Sequence, residues 1–529
     1  MKRIVAVVAG VAMLLAGLGV LVSVVAELGG SDQPGDSDRP GGSEPASRPG
    51  GQWQQPDKQA RKAPDPKLQP FYDQILDWKK CGDRECARVK VPLDYRRPGG
   101  ATIRLQLLRV PAADQAGKVG ALVVNPGGPG APGTAYADQA DYAFGRPLPE
   151  KFDIVGFDPR GTGASSPVDC LTDDELDAYI AADPTPDTPD EVAASVEWSE
   201  RLGKGCVEKS GDLAGHVSTV EAARDMDVIR AVLDERKLHY FGASYGTKLG
   251  ATYADIFPAT AGRLVLDGAV DVSLDSRQSS LGQARGFQRA IDAYVDDCVA
   301  KGECYLGDDR QAALDTIAGF LDEVDAAPLS VGERRLAVGN AFYGIVLPLY
   351  NEDYWPMLDS ALGAALNGEG GELLQLSDLY SARTGDGYAD NSSEAIWAIN
   401  CLDDPTSVPV ARIPSHLEAF RKASPTFGDV FAWGLAGCAG IQVEASEKRG
   451  PLTAAGADPL LVIGTTRDPA TPYEWAEALA AQLEPAMLVS REGDGHTGYN
   501  QGNDCVDEVV EAYLIDGVVP EGPVNCPAA

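Results

Sequence analysis

Only four histidines, His216, His239, His416 and His496, stand in 529 residues, and the ten cysteines include no Cys-x-x-Cys pair. Those two shortages argue against a metal site, and no metal or other cofactor is expected. Basic residues are also few: 45 Lys and Arg against 79 Asp and Glu leave a formal charge of −34, with one short basic cluster at 58–67. Binding to phosphate backbones needs clustered positive charge, so no nucleic-acid partner is expected. No solenoid-type internal repeat is present. No cysteine closely follows the apolar run near the N-terminus, which excludes a lipid-modified N-terminal cysteine.

That run, Ile4 to Ala26, follows Lys2 and Arg3 and ends in Val24-Val25-Ala26. It reads as a signal peptide, 1–26, ahead of a secreted protein. It is also long enough to span a bilayer, so a membrane anchor made by residues 4–26 stays open. Residues 27–67 are rich in Gly, Pro, Ser, Asp and Gln, with Trp53 as the large apolar residue, and are expected to form a flexible linker. Outside the cell the even number of cysteines should pair. Their spacing suggests Cys81–Cys86, Cys170–Cys206, Cys298–Cys304, Cys401–Cys438 and Cys505–Cys526.

Short apolar runs recur along the chain. Ala87–Pro92 and Thr102–Val110 read as strands joined by a turn. Val119–Val124, Phe152–Phe157, Leu238–Ala243, Arg263–Leu266, Pro459–Thr465 and Ala486–Ser490 follow, the later ones separated by helical patterns. This predicts an α/β fold with a mostly parallel eight-stranded sheet covered by helices on both faces. Helices are expected over Thr219–Glu235, after Ser244 to Pro258, over Ala476–Leu483 and over Val506–Ile515. Between 272 and 450 helical stretches follow one another with no convincing strand, which reads as a cap inserted over the carboxyl edge of the sheet, where open α/β sheets bind ligands. The expected organisation is a core over 68–271, the cap over 272–450 and the rest of the core over 451–529.

Gly242-Ala243-Ser244-Tyr245-Gly246 matches G-x-S-x-G between an apolar strand and a helix, the setting that lifts a serine hydroxyl above an α/β-hydrolase sheet. Ser244 is therefore the candidate nucleophile, against the alternative of a helix N-cap serine. The base follows by elimination. His239 lies inside a strand, His416 at a helix start and His216 ahead of a helix, whereas His496 stands in a glycine-flanked loop after the last long strand. Asp468, just beyond Leu460–Thr465, completes the chain order Ser…Asp…His. Asp458 lies at the wrong end of that strand, and Asp494 is expected to face solvent. Two backbone donors should form an oxyanion hole: the N–H of Tyr245 and that of Gly128 or Gly127, in Asn125-Pro126-Gly127-Gly128-Pro129-Gly130. Arg160 is expected to brace loops, and Ser165 and Ser166 lack a strand-to-helix elbow.

The glycine loop, Asp158-Pro159-Arg160-Gly161-Thr162-Gly163-Ala164-Ser165, the elbow, Asp468 and His496 together resemble the secreted tripeptidyl aminopeptidases of actinobacteria, relatives of the prolyl aminopeptidases. The resemblance spans about Cys81 to Cys526. It implies an α/β-hydrolase that removes short peptides from free N-termini through an acyl-enzyme, with peptides as its partners, and a monomer is expected. It also implies cap carboxylates for the substrate's α-ammonium, for which Glu394, Asp403 and Asp404 are the candidates. Two other readings stay open: an esterase- or lipase-like acyl hydrolase on the same scaffold, and a non-catalytic surface protein.

Overall fold

A computed structural model describes residues 57–447 and 450–528. The segment read as signal or anchor, 1–26, and residues 27–56 of the expected linker lie outside the described residues. Among the described residues no helix is long and apolar enough to cross a membrane.

Ten strands form one sheet: β1 (Lys79–Cys81), β2 (Arg84–Pro92), β3 (Thr102–Val110), β4 (Gly120–Asn125), β5 (Phe152–Phe157), β6 (Leu238–Ala243), β7 (Ala261–Asp267), β8 (Leu460–Arg467), β9 (Ala486–Asp494) and β10 (Val524–Cys526). Their order is β1-β2-β3-β5-β4-β6-β7-β8-β9-β10. The first three pair antiparallel, as does β3 with β5, and every pairing from β5 onward is parallel. Sequence reading found eight of these strands. It missed β1 and β10, three-residue edge strands too short to carry a pattern, each ending at a disulfide cysteine.

The strands follow from their burial. β4 and β5 are buried at every residue, as strands covered on both faces must be. In β2, Ala87, Val89 and Val91 are buried while Arg88 and Lys90 are exposed, the alternation of a sheet margin with one wet face. The parallel register aligns the carboxyl ends: Asn125 with Gly242, Ala243 with Asp267, Ile463 with Asp267, and Arg467 with Asp494. The chain therefore leaves the central strands side by side at one rim.

Several helices cover the sheet: α1 (Gly133–Asp138), α4 (Thr219–Val232), α5 (Tyr245–Ile256), α14 (Tyr473–Gln482) and α15 (Asp504–Glu511). One face packs Val123, Tyr240 and Val462 against α4 and α5, and the other packs Val124, Phe241 and Ile463 against α15. The cap comprises α6 (Ser276–Ala300), α7 (Arg310–Ala326), α8 (Val338–Val346), α9 (Trp355–Leu366), α10 (Gly371–Tyr380), α11 (Ser392–Asp403), α12 (Pro414–Ala423) and α13 (Gly428–Trp433). It has a core of its own around Phe287, Ile291, Ile317 and Leu358. An earlier excursion, α2 (Asp173–Ala181) and α3 (Pro189–Ser210), packs against it: Ser199 donates to Gly437 O and accepts from Gly440 N.

Two expectations need correction. The cap contains strands after all, the hairpins Leu329–Val331/Arg334–Leu336 and Arg383–Thr384/Gly387–Tyr388. Each arm is two or three residues around a tight turn, below the length at which alternation can be read. The linker also ends earlier than residue 67. Arg61 is buried, pairing with Asp234 at 2.5 Å and donating to Gln74 O, and Ala60 O accepts from Arg230. All five expected disulfides are present, which suits an oxidising compartment.

Candidate active site

Ser244 sits where β6 turns into α5, at φ 56° and ψ −124°, a backbone state that residues with a Cβ rarely adopt. Local bonds hold it there. Ser244 N donates to Asp267 O at 2.8 Å, and Ser244 O accepts from Thr247 N and from Thr247 Oγ1. Beneath the turn Tyr240 donates to Gly246 O at 2.8 Å. Gly242 is required because a Cβ there would come within 2.6 Å of Gly246 O and the Tyr240 ring.

Asp468 is fully buried beyond β8. Its Oδ1 accepts from Ala470 N and Thr471 N, and its Oδ2 from Thr471 Oγ1 and Thr497 N. His496 Nδ1 lies 2.8 Å from Asp468 Oδ2 and 3.0 Å from Oδ1. Burial opposes charging of the imidazole, but the Asp468 carboxylate, with Asp267 further off, outweighs it and holds the His496 pKa above its usual value. Nε2 of His496 is buried with no hydrogen-bond partner, so in this state no bond joins it to Ser244. The loop carrying His496 touches the cap: His496 N donates to Tyr350 O at 2.8 Å, and the Tyr350 ring stands edge-on to the imidazole.

The glycine loop lies directly over the elbow. Gly127 has φ +98°, and a Cβ there would meet Ala243 O at 2.6 Å and Tyr245 N at 2.9 Å. Its own N–H donates to Asn125 Oδ1 at 3.0 Å. Tyr245 heads α5, where the first N–H groups have no intrahelical acceptor.

The three cap carboxylates are otherwise engaged. Glu394 is buried and its Oε1 accepts from Cys170 N and Leu171 N, both at 2.7 Å; burial raises its pKa. Asp403 accepts from Thr219 N and Oγ1 and pairs with Lys248 at 2.7 Å. Asp404 accepts from Ser276 N and Oγ. Glu394 and Asp403 tie cap to core, and Asp404 bonds within the cap to the start of α6. α11 does reach the site by another route, since it abuts Gly130 at Ala395.

The other candidates lie elsewhere. His239 is held near pKa 4 by burial, then by Arg263, and accepts from Arg263 N; His216 bonds Glu221, and His416 accepts from Arg277. Asp458 pairs with Lys237. Asp494 does not face solvent as expected: Arg467 grips both its oxygens and covers most of it. Arg160, fully buried, clamps Asp225 through two bonds of 2.7 Å and donates to Pro92 O, Leu93 O and His216 O, so it does brace loops. Ser165 Oγ accepts from Gln106 N.

Sequence reading passed over Asp267, the last residue of β7. It is buried, its carboxylate accepts from Gly498 N at 2.8 Å and Tyr499 N at 2.9 Å, and burial pushes its pKa up to about 6. The available signal was its place, a carboxylate at the carboxyl end of the strand beside the nucleophile strand. It lines a cavity of about 730 Å³ between cap and core, together with Ala243, Thr497, Glu352, Asp353 and Arg491.

Comparison with known proteins agrees with this geometry. A family model described as TAP-like protein matches residues 424–526. Serine protease Hip1 of Mycobacterium tuberculosis is 35% identical over 481 residues, 87% of this chain and 92% of that protein. Carboxylesterase B of the same organism is 34% identical, covering 85% of this chain and 88% of its own. Tripeptidyl aminopeptidase of Streptomyces coelicolor is 31% identical, covering 86% and 85%. With relatives of this identity aligned along most of their length, and with this sheet order and elbow serine, the chain is a hydrolase of the α/β-hydrolase superfamily and belongs to its tripeptidyl aminopeptidase-like family.

Proposed function

We propose that this protein is a secreted serine exopeptidase that releases short peptides, tripeptides foremost, from free N-termini through an acyl-enzyme. One observation carries the reading: Asp468 holds His496 by Nδ1 and leaves Nε2 buried and unpartnered, in a loop that Asp267 ties to the strand end beside the Ser244 elbow. With its proton on Nδ1, the imidazole presents Nε2 as an acceptor. It takes the Ser244 proton as Oγ attacks the substrate carbonyl, then passes that proton to the leaving amine. The Tyr245 and Gly128 N–H groups face the oxyanion, and water releases the acyl group. Such Ser–His bonds often tighten only when substrate binds.

The names of Hip1 and the Streptomyces enzyme support peptide substrates. The cavity between cap and core supports a cationic end group, with Glu352 and Asp353 among its lining residues. The Carboxylesterase B relative favours a second reading, an esterase with the same chemistry. Peptide amides with free and blocked N-termini, run beside simple esters, separate the two. Free-terminus peptides should be cut fastest; equal cutting of blocked peptides would refute the exopeptidase reading. Ser244→Ala should abolish turnover and fluorophosphonate labelling while leaving the melting temperature nearly unchanged. A wild-type protein that takes no label would instead be a non-catalytic member of the fold.

A further inference from the structure

The residue that joins the two halves of the site is one the proton-transfer chemistry leaves out. Asp267 touches both sides. Its backbone carbonyl accepts the Ser244 N–H at 2.8 Å, fixing the elbow. Its carboxylate accepts the N–H groups of Gly498 and Tyr499, the second and third residues after His496. The hydrogen bond from His496 N to Tyr350 O restrains the near side of the same loop, and Arg491 spans it by donating to Asp494 O and Gln501 O. Thr497 and Asn500 hold positive φ of 73° and 58° in this loop, so its course depends on such tethers. Asp267 is thus the one side chain whose carboxylate sets the base loop while its main chain sets the nucleophile.

We propose that Asp267 is a positioning residue for catalysis, a second carboxylate that fixes the His496 imidazole relative to Ser244 and adds negative charge behind it. The inference rests on the serine-hydrolase reading above. The charged and titratable groups around the pair are few. His496 faces Asp468 and Asp267; Asp267 in turn feels His496, Asp468, Arg491 and Tyr136. Removing the Asp267 charge should make the imidazolium easier to deprotonate. Releasing the loop should misplace Nε2, and displacements of about 1 Å can cost as much as about 100-fold in rate.

The test compares wild type, Asp267→Asn, Asp267→Glu and Ser244→Ala on a peptide substrate with a free N-terminus. The readouts are kcat, KM, the pH profile of kcat/KM and the melting temperature. Asp267→Asn keeps the size but offers one oxygen to two N–H groups and no charge. It should lower kcat by about 10- to 100-fold with KM within about twofold, and move the acidic limb of kcat/KM to lower pH. Asp267→Glu keeps the charge and should hold that limb near the wild-type position even where kcat falls. A merely structural Asp267 would lower activity in step with melting temperature and leave the limb of Asp267→Asn in place, and that outcome overturns the proposal. Wild-type kcat in Asp267→Asn overturns it too. If Asp267→Asn does not fold, Asp267→Glu decides: wild-type kcat and KM despite the longer arm would refute positioning. Turnover retained by Ser244→Ala would instead bring down the underlying reading, whatever Asp267 does.

Discussion

Ser244 occupies a strained backbone state that its neighbours maintain, and the loop carrying the buried Asp468–His496 pair is tied to the same strand end through Asp267. The Asp468 carboxylate does two jobs at that scale. It holds the hydrogen on Nδ1 and stabilises the imidazolium. Asp468→Asn should therefore lower kcat by about 10⁴-fold, since an amide can donate to Nδ1 and turn the imidazole to the wrong tautomer. The variant should also titrate its histidine at lower pH. In the wild type, kcat/KM should fall as pH drops through the His496 pKa, which lies above the ordinary histidine value. A pH–rate profile flat to pH 5 would contradict this. Ser244, Asp468 and His496 were legible from spacing and chain order because each motif occupies a strand end. Asp267 was not, because its place at a strand end is the one signal it carries, and that does not tell an aspartate that grips a distant loop from one that faces water.

At the scale of elements, the parallel strands were read within a residue or two because their apolar runs are continuous, a pattern that burial on both faces demands. The edge strands and cap hairpins escaped because two or three residues have no period. Charged contacts between elements were equally hidden. Arg160 was expected to brace loops but its partner was not foreseen: a fully buried guanidinium joins the loops after β2 and β5 to α4 through Asp225. Arg160→Met should destabilise the protein by about 3–5 kcal/mol, because Asp225 is left buried and uncompensated. Arg160→Met combined with Asp225→Leu should recover part of that loss, measured by urea unfolding. The cap carboxylates make the same point from the other direction. Glu394, Asp403 and Asp404 look like ligands in sequence, and the fold uses the first two to hold cap to core and the third to hold the start of α6.

Two predictions belong to the whole molecule. The disulfide Cys401–Cys438 closes a 37-residue loop and anchors α11, which abuts the glycine loop. Replacing both cysteines by Ala should cost about 4 kcal/mol from loop entropy, seen as a lower melting temperature and a lower kcat. Stability should also depend on pH with a definite sign. Asp267 and Asp390 are pushed by burial to about 6 from 3.8, so the fold binds more protons than the open chain in that window and loses stability as pH rises through it. His496, raised above 6.5, contributes stability below that value that disappears as pH climbs through its folded pKa. His239, lowered to about 4, acts oppositely and costs stability as pH falls from 6.5 toward 4. Together with a net charge of −34, which repels itself more strongly in base, these groups should make the melting temperature fall as pH rises from about 5 to 8, two raised carboxylates and His496 outweighing His239. A melting temperature that rises steadily to pH 8 would contradict that sum.

The amino-acid sequence alone determined the strand-and-helix alternation, the elbow serine, the order of the three candidate residues and the pairing of cysteines. Those properties are written in local spacing, and local spacing survives without a fold. Only the tertiary structure decided which carboxylates were already occupied, that the Gly127 N–H bonds Asn125, and that Asp267 reaches across the sheet to the histidine loop. Hydrogen-bond partners far apart in the chain meet through packing, and no window of sequence contains them.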